Sequence, residues 1–165
     1  MKTNNKAFTL IELLVVVLII GILVAIAVPM YENAIAKTRA TQLLTAARQI
    51  ADAESRFYLE SNEYTEDPTM LDIAYQLNSA QTQFEFKFGT CDFAYVKDTT
   101  PRTSCTLTTP HLTLHQYIGK PRLNCMSHSD DNYKGDFVCQ ELTEEETPYK
   151  SANNMHYFSA GIISE

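Results

Sequence analysis

From Phe8 to Val28 the chain carries a single charge, Glu12, in an otherwise uncharged and strongly apolar run. As an α-helix rising about 1.5 Å per residue, that run measures about 30 Å, the thickness of a bilayer's hydrocarbon. Lys2 and Lys6 precede it, so the positive-inside rule keeps the short N-terminus cytoplasmic and sends the remainder outward. A carboxylate near mid-membrane costs about 2.5–3.5 kcal/mol on insertion scales, somewhat less near an interface. A Glu12 that reaches headgroup water is one way out; a cationic partner is the other. A cleaved secretory signal ending at "AIA" (residues 25–27) fits less well. The run exceeds the usual apolar core of about 7–15 residues, and a disposable signal has no need of Glu12.

The stretch "KAFTLIELLVVVLIIGILVAIAVP" (residues 6–29) resembles the N-terminus of type IV pilins and the related pseudopilins. The resemblance implies a leader, residues 1–7, removed by prepilin peptidase between Ala7 and Phe8, with Phe8 then N-methylated. Glu12 becomes the fifth mature residue. On that mapping Glu12 of one subunit meets the cationic α-amine of Phe8 on its neighbour, and the pair sets the assembly register. Opposite charges attract far more strongly in low dielectric than in water, while either alone is costly. Ala7 stands where the family has Gly, and slower processing is the expectation. Gly21 and Pro29 fall where the family has a Gly and a Pro in this helix. Proline removes a backbone hydrogen bond and kinks or unwinds a helix; local bending or melting in a packed fibre is what the resemblance adds.

Beyond Pro29 the pattern becomes amphipathic. Ala40, Leu43, Leu44, Ala47, Ile50, Ala51, Phe57 and Tyr58 recur at helical spacing, with Thr41, Gln42, Thr45, Arg48, Gln49, Asp52 and Ser55 opposite. One helix over residues 8–60 is expected. It divides into a membrane and assembly half (8–29) and an amphipathic half (30–60), with a C-terminal globular β-rich domain at 61–165. "SNEYTEDP" reads as a turn and residues 69–77 as a short second helix. Strands are expected at 84–89, where three Phe alternate with Glu85 and Lys87, and at 91–97, 111–118 and 136–140; "MHYFSAGII" is a candidate edge strand. The fold class is therefore α+β: a long N-terminal helix packed on a small antiparallel sheet of three to five strands.

Four cysteines, Cys91, Cys105, Cys125 and Cys139, lie in the C-terminal part. An even count beyond an outward-directed span reads as two disulfides. Three pairings are open; Cys91–Cys105 and Cys125–Cys139 are favoured because each closes a hairpin-sized loop. A four-cysteine zinc site is disfavoured because there is no C-x-x-C pair.

The net charge of −7 opposes nucleic-acid binding over the bulk surface. His111, His115, His128 and His156 form no recognised metal motif. His111 and His115 share a face in strand-like sequence but stand far apart there. Asp130, Asp131, Asn132 and Asp136 are a weak calcium candidate that departs from the EF-hand spacing. There is also no Trp, which disfavours the calcium-loop class of secretion pseudopilins. No nucleophile motif or Gly-rich phosphate loop is present. No cofactor and no enzymatic activity are expected.

The expected function is that of a structural subunit of a helical cell-surface filament, a pilus or fimbrium of the kind used in cell adhesion. Implied partners are copies of itself or other pilins or pseudopilins, prepilin peptidase, the inner-membrane assembly platform and the lipid bilayer. The chain is expected in the bacterial inner membrane before assembly, then in a periplasmic or surface filament. Two alternatives stand: a pseudopilin of a type II secretion system, and a single-span anchored or secreted binding domain.

Overall fold

A computed structural model describes residues 8–65, 67–94 and 100–160. Lys2, Lys6 and Ala7, and with them the leader and its cleavage point, lie outside the described residues, as do the last residues of two expected strands, 95–97 and 161–163. The chain divides into two compact units, Met1–Ile35 and Ala36–Glu165. Helix α1, Leu10–Ser61, begins in the first unit and ends in the second, and it contains Pro29.

In the first unit the helix has no buried residue. In the second unit the picture inverts. Ala40, Leu43, Leu44, Ala47, Ile50 and Ala53 are buried in one cluster with the sheet. Thr41, Gln42, Thr45, Arg48, Gln49 and Asp52 are exposed. The buried face is mostly alanine, with Leu43 and Ile50 as its largest fully buried side chains. Tyr58 falls outside this pattern: it is exposed and stacks on Tyr64 with centroids 4.6 Å apart.

The sheet has seven antiparallel strands: β1 Gln83–Phe86, β2 Gly89–Ala94, β3 Arg102–Leu107, β4 Leu112–Tyr117, β5 Leu123–His128, β6 Lys150–Ala152 and β7 Met155–Ala160. They lie in the order β1-β2-β3-β4-β5-β7-β6. Directly paired residues share a face, so the register produces one core-facing row across six strands: Phe84, Cys91, Cys105, Leu114, Cys125 and Phe158. Every member of that row is at most 1% exposed.

The sheet has seven strands where three to five were expected, and three further expectations are corrected. The expected strand at 136–140 is helix α2, Asp136–Thr143. Val138, Cys139 and Thr143 are its buried residues. That is helical spacing, which a five-residue window ending at Gln140 could not reveal. The expected helix at 69–77 is only a 3-10 turn, Pro68–Met70, capped by Asp67. Proline at its first position suits the start of a helical turn, and an extended Leu71 ends it. The candidate edge strand, β7, is interior, with β6 outside it.

Candidate functional site: the N-terminal helix

The helix begins with a local device that the sequence carries plainly. The Thr9 backbone N–H donates to Glu12 Oε2 at 2.8 Å, the Thr9 hydroxyl donates to the same oxygen at 2.6 Å, and the Glu12 N–H donates to Thr9 Oγ1 at 3.3 Å. Thr9-x-x-Glu12 is thus a capping box, in which side chains satisfy amides that the first turn leaves without helical partners. Threonine three residues before Glu, at the head of an apolar run, was the available signal. This local role of Glu12 stands beside the membrane charge and the assembly partner expected from the sequence, and was not anticipated there.

From this cap the helix presents apolar side chains all round. Its large hydrophobic residues between positions 10 and 31 range from 45% exposed at Val16 to 87% at Leu10. Such a surface is incompatible with water and suits lipid or a second apolar helix. Among the described residues α1 is the one helix long and apolar enough to cross a membrane. Gly21 and Pro29 both lie within the unbroken α1, and a Cβ at Gly21 would meet nothing within 4 Å. Phe8 precedes the cap and is 74% exposed.

In the second unit, disulfides join Cys91 to Cys105 and Cys125 to Cys139. The first links register partners on β2 and β3. The second ties α2 to the interior strand β5. The acidic group of the 130–136 turn does not converge on one point. Asp130 Oδ2 meets His111 Nδ1 at 2.5 Å, Asp131 Oδ2 accepts from the His111 amide at 2.7 Å, and Asp136 Oδ2 meets His156 Nδ1 at 2.6 Å. Asn132 sits at φ 60° and closes the 3-10 turn Ser129–Asp131. His115, on β4, is held below its ordinary value, at about 4, by burial and by the nearby Arg102 charge. Ser127 pairs in register with His156, which bonds Asp136, so Ser, His and Asp are gathered. Ser127 is fully buried, however, and its Oγ stands about 3.0 Å from where a Cβ on Gly135 would lie. No substrate can reach that hydroxyl.

The model of the prokaryotic N-terminal methylation motif matches residues 2–28. The chain is 44% identical over 63 residues to a type IV major fimbrial protein, FimA, of Dichelobacter nodosus, covering 38% of this chain and 40% of that protein. It is 38% identical over 78 residues to a fimbrial protein of Pseudomonas aeruginosa, covering 47% of this chain and 51% of that protein. With a type IV major pilin protein, PilE1, of Neisseria gonorrhoeae it shares 35% identity over 74 residues, 45% of each chain. The chain thus spans about two fifths to one half of the length of these relatives. No solved structure matches it. Over its N-terminal part, in the methylation motif and in these relatives, the chain is similar to type IV pilins.

Proposed function

We propose that this chain is a structural subunit of a type IV pilin-like filament, polymerised through its N-terminal helix, and not an enzyme. The observation that carries the reading is the apolar surface of residues 10–31, exposed all round and headed by Phe8 and Glu12. Lipid covers that surface before assembly; neighbouring helices cover it afterwards. The globular part, with its two disulfides, would face outward and set the filament's surface.

In this reading residues 1–7 are a leader removed by prepilin peptidase between Ala7 and Phe8. Residues 8–29 are the assembly segment, 30–60 the amphipathic half and 61–165 the outer domain. The Phe8 amine, free or methylated, pairs with Glu12 of the adjacent subunit. Because Glu12 also accepts from Thr9, its carboxylate is oriented before a neighbour arrives. Gly21 and Pro29 give the helix points at which to bend or unwind on entering the fibre. Partners are other copies or related pilins, the peptidase and the inner-membrane assembly platform, and the chain passes from the inner membrane to the filament. The test is to shear surface filaments from cells carrying the wild-type chain or Glu12→Ala. Filaments containing the wild type, and precursor without filaments for the variant, support the reading. Filaments equally abundant in both overturn it.

A further inference from the structure

The open end of the β4–β5 hairpin gathers three groups that sequence spacing kept apart. Leu112 opposes Ser127 in the register, and one step further out the His128 amide donates to the His111 carbonyl at 3.2 Å. The two imidazoles therefore lie across from one another, stacked with centroids 3.9 Å apart and planes 9° from parallel. The 3-10 turn Ser129–Asp131 then folds Asp130 back onto the pair, with Oδ2 2.5 Å from His111 Nδ1. One ligand atom from each of the three residues lies within 4.8 Å of the others.

We propose that His111, His128 and Asp130 bind a divalent transition-metal ion of the zinc class, with the fourth position open to solvent. The donor set decides the class. Two imidazole nitrogens and one carboxylate oxygen suit zinc and its neighbours, whereas calcium takes oxygens alone. On a tetrahedral ion with bonds of about 2.0–2.2 Å, ligand atoms stand about 3.3 Å apart, so no pair within the 4.8 Å cluster need close by more than about 1.5 Å, while His111 Nδ1 and Asp130 Oδ2, if both ligate, must part from 2.5 Å. Parallel rings cannot aim both lone pairs at one ion, so binding also opens the stack. The ring of His111 and the carboxylate of Asp130 are partly exposed, at 32% and 63%, and have room for that rotation.

The outer hydrogen bonds already resemble those that hold metal ligands in place. His128 Nε2 lies 3.0 Å from Thr113 Oγ1, which is 3.3 Å from Thr106 Oγ1. If Nε2 carries the proton, Nδ1 is left as the donor to metal, the division of labour seen at bound histidines. Asp131 holds the His111 backbone through the amide contact, and its charge adds to that of Asp130 beside the site. The ion would fasten the 128–131 turn to the head of β4.

The test is titration of the full-length chain in detergent with zinc chloride by calorimetry, repeated with cobalt chloride and read by visible absorption. The expected result is one saturable site per chain, a cobalt spectrum of low-coordinate nitrogen and oxygen ligation, and zinc affinity at least 10-fold weaker in His111→Ala, His128→Gln and Asp130→Asn. His156→Ala, whose partner is Asp136, keeps wild-type affinity. Variants are compared only where circular dichroism shows the fold intact; if His111→Ala does not fold, Asp130→Asn and His128→Gln decide. No saturable binding, or unchanged affinity in those variants, overturns the proposal.

Discussion

Thr9 and Glu12 cap each other: the threonine amide and hydroxyl both donate to Glu12 Oε2, and the Glu12 amide donates back to Thr9 Oγ1. One carboxylate therefore has a local role in starting α1 and a proposed role in pairing with a neighbour's amine. Glutamine separates them, because it can complete a capping box but carries no charge. Glu12→Gln is expected to keep the helix start and abolish filaments. Glu12→Ala should abolish filaments and also cost about 0.5–2 kcal/mol of helix stability. Electron microscopy of sheared material and circular dichroism in detergent check the two effects. Filaments from Glu12→Gln would assign the residue to capping alone.

The two disulfides are expected to contribute separately. Each closes a loop between residues 14 apart, for which the chain-entropy model gives about 3 kcal/mol. Cys91–Cys105 joins strands already paired in register, so its loss should lower stability without changing secondary structure. Cys125–Cys139 anchors α2, so Cys125→Ala/Cys139→Ala should also expose amides of residues 136–143 to hydrogen exchange. Equal protection of α2 in both double variants would contradict this.

Glu54 is an acid on the buried side of α1, 3% exposed, accepting only a 3.3 Å bond from the Thr65 amide among the hydrogen bonds described for it. Burial raises its pKa from the ordinary 4.5 to about 7, against the smaller opposing pull of Thr65. The folded state therefore favours the protonated form. The stability this brings is complete below pH 4.5 and is lost as pH rises through 7. Denaturant unfolding should show a loss on the order of 3 kcal/mol over that window. Glu54→Gln should flatten the profile and be more stable than wild type at pH 8. A variant with the same slope would remove Glu54 as its source.

Gly89, at the start of β2, packs against the neighbouring strand. A Cβ there would lie 2.2 Å from the Thr106 carbonyl oxygen and 3.2 Å from Leu107 Cα, both backbone atoms that cannot swing aside. Gly89→Ala should cost about 1–3 kcal/mol, whereas Gly119→Asn meets no neighbouring atom and is strained only by its φ of +68°, which Asn bears better than most residues, so it should cost less. Thermal unfolding of the two variants decides.

What was legible in the sequence followed from periodicity. The change in α1 from apolar throughout to one-sided was readable because Leu43, Leu44, Ala47 and Ile50 recur with a helical period. β1 was readable because Phe84 and Phe86 flank Glu85. β5 was not anticipated: Leu123, Asn124, Cys125, Met126 and Ser127 are all buried, so a strand covered on both faces shows no alternation. β3 was hidden for a different reason: its burial alternates, with Thr103, Cys105 and Leu107 inside, but Leu107 is the one large apolar side chain in "RTSCTL", so the hydrophobic signal is weak. Without β5 there is no β4–β5 register, and without that register His128 cannot be placed opposite His111. The metal candidate was therefore out of reach, while His111 and His115 were weighed as a pair although their side chains belong to different surroundings.

Entry into a filament as a processed pilin is read from the intact mass of the protein in sheared surface filaments. The expected species is a chain beginning at N-methylated Phe8 that gains the mass of four hydrogens on reduction of its two disulfides. Detection only in membranes, with Met1 intact, or only in the medium, with a start at Val28, would contradict it.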